Sequence, residues 1–72
     1  MKTIYKDEYQ HDGILINLEY SKVSFEDLVC NYDEHFKKDQ NYYIYCHGGV
    51  RSYALTCVLE KYGYDATQVI CR

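Results

Sequence analysis

NYYIYCHGGVRSYALTCVLEKYGYDATQVI, residues 41–70, contains the pattern of a strand, a loop, a helix and a second strand. Tyrosine and isoleucine dominate Asn41–Tyr45, a composition that is typical of a strand. After the loop, apolar residues recur at the spacing of one helix face, at Ala54, Leu55, Val58, Leu59 and Tyr62. Gly63 follows as a left-handed cap, and Thr67–Ile70 predicts the second strand. Such a unit is nearly always a crossover between parallel strands.

The residues before this unit add two strands and further helix. Lys2–Tyr5 predicts a short extended segment, and the apolar, β-branched run Ile14–Leu18 predicts a buried strand. Ser24 is a good N-cap, so a helix is expected over Phe25–Asn31, with one or two more helical turns over Tyr32–Lys38. The sequence therefore predicts one α/β domain over residues 1–72, a small and mostly parallel sheet flanked by helices.

Composition excludes several classes of protein. The chain has 72 residues, of which 47% are hydrophobic and 26% charged, so it is not intrinsically disordered. A net charge of −3 argues against a nucleic-acid partner. No apolar run approaches the ~20 residues of a membrane span, and no secretion signal is expected at the start. We therefore expect a cytoplasmic protein without a membrane partner.

The cysteines and histidines form neither a disulfide framework nor a metal set. The four cysteines are widely and unevenly spaced, at positions 30, 46, 57 and 71. Adding His35 and His47 supplies enough ligands for zinc, but no closely spaced pair anchors such a site. We therefore expect reduced cysteines, no metal and no cofactor.

The loop between the strand and the helix contains residue types that suit a reactive thiol. Cys46 ends the predicted strand, where the ligand sites of open parallel sheets lie. Gly48 and Gly49 allow backbone angles closed to other residues, so the N–H groups of the loop can turn inward as an anion-binding nest. Such surroundings lower the pKa of a thiol. Arg51 adds a fixed positive charge for an anionic substrate, and Ser52 adds a cap or a hydrogen bond to the loop.

These residues, Cys-x-x-Gly-x-Arg-Ser from Cys46 to Ser52, closely resemble the active-site loop of the short, single-domain rhodanese-like sulfurtransferases. The strand before the loop and the end of the following helix, residues 42–45 and 59–65, resemble the family as well. The resemblance covers Asn41–Ile70 well and Gly13–Leu28 more loosely. It implies a rhodanese-like fold for the chain.

The resemblance also implies an activity of the thiosulfate sulfurtransferase type. Cys46 would take the sulfane sulfur of thiosulfate, or of another small anionic donor, as a persulfide, and a thiophilic acceptor would remove it. Cyanide, a thiol or a protein thiol would serve as the acceptor. The implied catalytic residues are Cys46 and Arg51, and the implied substrate-binding residues are His47, Gly48, Gly49, Val50 and Ser52.

The chain departs from the family at two places. Its only counterpart to an early Asp-x-Arg motif is the segment Ile16–Glu19, which lacks both the Asp and the Arg. The helix that follows the last strand in the family has no counterpart here. We therefore expect a shortened scaffold with an uncovered sheet face, which a homodimer would cover.

Other functions stay open on the sequence alone. Only four residues separate Cys46 from Arg51, whereas Cys-based phosphatases have five, so a phosphatase is disfavoured. A rhodanese-like module without turnover would bind an anion in the loop or oxidise Cys46 reversibly. A degenerate remnant would only associate with a partner chain. Cys46 as a plain buried thiol is the simplest structural alternative.

Overall fold

The computed structural model describes residues 1–71 and contains one four-stranded sheet in which all neighbouring strands are parallel. The strand order is β1-β4-β3-β2. The strands are β1 (Lys2–Tyr5), β2 (Ile14–Asn17), β3 (Asn41–Tyr45) and β4 (Asp65–Ile70). The predicted α/β class, a small and mostly parallel sheet flanked by helices, is confirmed.

Three α-helices and a short 3-10 turn connect the strands. The helices are α1 (Phe25–Cys30), α2 (Tyr32–His35) and α3 (Val50–Lys61), and the 3-10 turn is Lys6–Glu8. Ser24 caps α1 as predicted, since its side chain accepts the Asp27 N–H. Gly63 has the left-handed φ of 86° that was expected after α3. Across residues 1–71, no helix combines the length and the apolar character that crossing a membrane requires.

The two faces of the sheet are covered by different parts of the chain. On β3, Tyr42 and Ile44 pack in the cluster that contains the buried residues of the helices. The alternate residues Tyr43 and Tyr45 face the other way and pack with Tyr9, in the connection between β1 and β2. That connection runs from one edge of the sheet to the other, opposite in direction to the helical crossovers. Connections of one hand that run in opposite directions cover opposite faces.

The buried stripe of α3 differs from the predicted one. The buried residues are Ser52, Leu55, Thr56 and Leu59, at the spacing of one helix face. The prediction was wrong for Tyr62, which is 44% exposed. The prediction also left out Ser52 and Thr56. Both can be buried because each hydroxyl donates a hydrogen bond to a backbone carbonyl.

The element boundaries move where tertiary contacts override local preference. The second early helix ends at His35 rather than Lys38, because Phe36 adopts extended backbone angles and is buried in the core. β4 begins at Asp65, two residues before the prediction, because Asp65 pairs with Asn41 of β3. β2 ends at Asn17, yet the Leu18 N–H still donates to the Tyr45 carbonyl.

Candidate active site

The candidate site begins with Cys46, the first residue after β3. Side chains alternate along a strand, so Cys46 follows Tyr42 and Ile44 onto the helix-covered face. Its side chain is only 2% exposed. The chain then turns through residues 47–49 into α3, so the thiol lies at the carboxyl end of the sheet beside the first turn of a helix.

The sulfur of Cys46 accepts a hydrogen bond from that first turn. The first N–H groups of a helix have no partner within the helix, and a side chain at the N-cap usually accepts one of them. Here the N-cap is Gly49, which has no side chain. The Ser52 N–H donates instead to Cys46 Sγ, at 3.2 Å. The thiol therefore occupies the place of a capping acceptor, where a negative charge is favoured.

The environment of Cys46 lowers the pKa of its thiol. Burial alone raises this pKa, because it disfavours the charged thiolate. Hydrogen bonds from the Ser52 hydroxyl and from the N–H groups of Ser52, Gly49 and Arg51 act in the opposite direction and outweigh burial. The site thus favours the nucleophilic form of the sulfur.

A second polar side chain, Gln68 of β4, supports the loop from the neighbouring strand. Its Nε2 donates to the Gly49 carbonyl at 3.0 Å and to Ser52 Oγ at 3.2 Å. The Ser52 hydroxyl itself donates to the same Gly49 carbonyl at 3.2 Å. Because Gln68 keeps that carbonyl satisfied, the single hydroxyl hydrogen of Ser52 can turn to Cys46 when the sulfur is charged.

The two glycines of the loop have different roles. Gly49 has a φ of 81°, which residues with a Cβ atom rarely adopt. Gly48 does not have a positive φ, and a Cβ added there would meet no atom within 4 Å. Of the two glycines, only Gly49 uses the conformational freedom that glycine allows.

The variant Gly49→Ala is expected to destabilise the fold by about 1–2 kcal/mol, because a Cβ is strained in the left-handed region. Gly48→Ala is the matched control and should change the free energy of unfolding by less than ~0.5 kcal/mol. Urea denaturation followed by circular dichroism measures both. Equal losses for the two variants would contradict the assignment.

The side chain of Arg51 contacts an acidic residue. Its guanidinium forms an ion pair with the Glu19 carboxylate, just beyond β2. The Glu19 N–H is in turn bound by Asn17 Oδ1 at 3.0 Å, which positions the turn that bears Glu19. The pair ties the loop after β3 to the turn after β2.

The remaining predicted site residues line the outside of the loop. His47 and Gly48 are exposed, and Val50 is 77% exposed. The side chains of His47 and Val50 therefore face solvent at the mouth of the loop, while Cys46 and Ser52 are buried beneath it. The structure brings the seven predicted residues into one loop and helix start, with two of them inside and the others around them.

Sequence reasoning missed two residues that hold the loop, Gln68 and Glu19. Gln68 carried a local signal, because a glutamine amid the apolar residues of a buried strand needs partners for its amide. Glu19 ends the segment Ile16–Glu19, the only counterpart to the early family motif. Its pairing with a residue 32 positions away has no local signal.

The other cysteines lie apart from Cys46, and all four cysteines are free. Cys71 Sγ is 3.1 Å from the hydroxyl of Tyr45. Tyr45 and Tyr43 lie on the face of the sheet that the helices do not cover, which we call the helix-free face. Cys57 contacts Met1, and Cys30 is exposed. Within residues 1–71, no group of three or more His, Cys, Asp or Glu residues is arranged to hold a metal ion.

The lowered pKa of Cys46 predicts its reactivity with pH. The rate of alkylation by iodoacetamide should rise with pH around a midpoint below the ~8.5 of an ordinary thiol, since only the thiolate reacts. Ser52→Ala should move that midpoint to higher pH by removing the hydroxyl. Ser21→Ala, at an exposed serine outside the loop, is the control and should leave it in place. Peptide mapping at each pH gives the rate for Cys46 alone, and a midpoint at or above ~8.5 would refute the prediction.

No model of a known protein family matches the chain, and no curated protein matches its sequence at a significant level.

Proposed function

We propose that this protein is a sulfurtransferase that carries sulfane sulfur as a persulfide on Cys46. The observation that supports this most directly is the hydrogen bond from the Ser52 N–H to Cys46 Sγ at the start of α3. It combines a nucleophilic residue, a positive helix end and a loop of inward-facing amides at one atom. The resemblance of residues 46–52 to the rhodanese loop adds the reaction class.

In the first step, the Cys46 thiolate attacks the outer sulfur of thiosulfate. A sulfur–sulfur bond forms to Cys46, the bond between the two sulfurs of thiosulfate breaks, and sulfite leaves with the electron pair. The outer sulfur then carries the negative charge of the persulfide. The N–H groups of Gly49, Arg51 and Ser52 act on the Cys46 sulfur itself, so they stabilise the attacking thiolate and the thiolate that the acceptor later releases.

In the second step, a thiophilic acceptor attacks the outer sulfur. Cyanide forms a bond to that sulfur, the sulfur–sulfur bond of the persulfide breaks, and the electron pair returns to Cys46 as thiolate. The product is thiocyanate, and a small thiol or a protein thiol would replace cyanide in a cell. We place this chemistry in the cytoplasm, where four free cysteines stay reduced.

Arg51 has two roles in the proposal. The ion pair with Glu19 holds the start of α3 against the turn after β2. The arginine side chain is 48% exposed, so its remaining N–H groups can also meet the sulfonate oxygens of thiosulfate. The exposed His47 and Val50 lie where they modulate the approach of donor and acceptor.

The direct test is intact-mass spectrometry of the reduced protein after incubation with thiosulfate. We expect a gain of one sulfur atom, located on Cys46 by peptide mapping and removed by cyanide with release of thiocyanate. No gain of sulfur in protein shown to be folded by circular dichroism would refute the proposal.

A second candidate, a redox-sensing module, is favoured by one observation. The Cys46 side chain is only 2% exposed, which admits small oxidants more readily than an acceptor protein. Hydrogen peroxide would transfer one oxygen to the thiolate, giving the sulfenic acid and hydroxide. Rapid oxidation of Cys46 by peroxide without any loading from thiosulfate would support this candidate instead.

A further inference from the structure

A cavity lies on the helix-free face of the sheet, on the side opposite the Cys46 thiol. Its volume is about 270 Å³. Asn17 and Tyr45, the last residues of β2 and β3, form one side of it, and they are direct neighbours in the sheet. The connection between β1 and β2 closes the other side with Lys6, Tyr9 and His11. The cavity is thus built from both the strand ends and the chain that crosses over them.

The walls of the cavity are mainly apolar and aromatic. The rings of Tyr9 and Tyr45 line it together with Leu15 and Val69. Leu15 is 42% exposed although it belongs to a strand, so part of this wall is open to solvent. The Tyr9 hydroxyl is engaged by the Gly13 carbonyl at 2.8 Å, which fixes its ring as a rigid wall. A flat apolar group fits between such surfaces.

The cavity has one ammonium group, that of Lys6, and one side-chain amide, that of Asn17. The Lys6 ammonium lies 5.1 Å from the centre of the Tyr45 ring. Asn17 Oδ1 is already used by the Glu19 N–H, so the Asn17 amide group offers its N–H donors. No residue that lines this cavity within the described chain is acidic, although the protein as a whole has a net charge of −3. The carboxylate of Glu19 is near enough to raise the pKa of Tyr45, but it does not line the cavity and forms an ion pair with Arg51.

The backbone at the cavity is also unusual. His11 has a φ of 58°, the one positive φ among the non-glycine residues that the structure describes. Its ring lies 4.6 Å from that of Tyr9. Residues other than glycine rarely adopt this left-handed backbone conformation, and they keep it only where surrounding contacts hold it. Here it turns the crossing chain so that the imidazole faces the cavity.

We propose that this cavity binds a small aromatic carboxylate, with the ring between Tyr9 and Tyr45 and the carboxylate toward Lys6, His11 and Asn17. The volume suits one ring with a short acidic side chain, because a cavity of about 150 Å³ already accepts benzene. The site is separate from the Cys46 loop and does not depend on the proposed sulfur transfer. Asn17 nevertheless connects the two, since it also holds the turn that bears Glu19.

The test is a titration of the protein with phenylacetate, followed by the chemical shifts of its backbone amides in NMR spectra. We expect saturable shifts centred on residues 6–11, 15–17 and 45, with a Kd of roughly 1 mM, as for other ligands of about ten heavy atoms. Acetate lacks the ring and phenylacetamide lacks the charge. Each should bind at least ~10-fold more weakly, because the site needs both parts.

Two variants separate the roles of charge and shape. Lys6→Gln should weaken phenylacetate binding about 5-fold to 10-fold by removing the cation. Lys61→Gln is the matched control, because Lys61 also lies over a tyrosine ring, that of Tyr62, outside the cavity. It should leave the Kd unchanged. Leu15→Trp should fill the cavity and abolish the saturable shifts.

Four results would overturn the proposal. They are the absence of saturable shifts up to roughly 20 mM, shifts centred elsewhere, equal binding of phenylacetamide, and equal Kd values for Lys6→Gln and Lys61→Gln. Sedimentation of the same samples adds a fifth. A dimer whose interface covers residues 6–17 and excludes phenylacetate would show that a second copy of the chain occupies this face.

Discussion

The variant Cys46→Ser is expected to reduce sulfur transfer from thiosulfate to cyanide to the uncatalysed background, a loss of at least ~10³-fold. A serine hydroxyl stays protonated near neutral pH and cannot form a persulfide. The substitution should preserve the fold, because serine is a good capping residue and its Oγ can accept the Ser52 N–H in place of sulfur. Thiocyanate formation and intact mass after thiosulfate treatment measure the loss.

Cys57→Ser is the matched control for this experiment. Cys57 lies on α3 as well, but its sulfur contacts Met1 and not the loop. It should therefore load sulfur and form thiocyanate at the rate of the unchanged protein. If transfer survives in Cys46→Ser and disappears in Cys57→Ser, the nucleophile is Cys57 and the assignment of Cys46 is wrong.

The second large effect concerns stability, and it is expected for Leu55→Ala. Leu55 is fully buried at 0% exposure, between α3 and the sheet. Truncating a buried leucine leaves a cavity and costs about 2–5 kcal/mol. A domain of this size has a total stability of only about 4–11 kcal/mol, so the variant should lose a large share of it and unfold at a much lower urea concentration. Urea denaturation followed by circular dichroism gives the free energy of unfolding.

Leu15→Ala provides the comparison at the same residue type. Leu15 belongs to β2 and is 42% exposed on the helix-free face. Its loss should cost less than ~1 kcal/mol, because most of the removed surface is already in contact with water. A larger loss for Leu15→Ala than for Leu55→Ala would mean that the main core lies on the other face of the sheet.

Local pattern was enough to predict the elements around the site. Asn41–Tyr45 and Lys2–Tyr5 are strands with the predicted bounds, since each forms a short run of β-favouring residues next to turn residues. The cap at Ser24 and the left-handed Gly63 were also predicted correctly. These features depend on interactions within a few residues, so they leave a direct signal in the chain.

Predictions that depended on packing were less complete. The periodicity of α3 indicated an apolar face through Tyr62, whereas the buried face passes through Ser52 and Thr56. The two hydroxyls are buried because nearby carbonyls accept their hydrogens, and a scale of side-chain hydrophobicity does not contain that term.

The sequence by itself determined the strand–loop–helix–strand unit and the placement of Cys46 at its turn. Only the tertiary structure decided which distant groups support that turn. Glu19 meets Arg51 because β2 pairs with β3, and Gln68 meets Gly49 because β4 pairs with the other side of β3. Strand order and register create these contacts, and they depend on the burial of whole faces rather than on neighbouring residues along the chain. The cavity behind Tyr45 has the same origin, because it forms where a connection of otherwise ordinary composition crosses the ends of two strands.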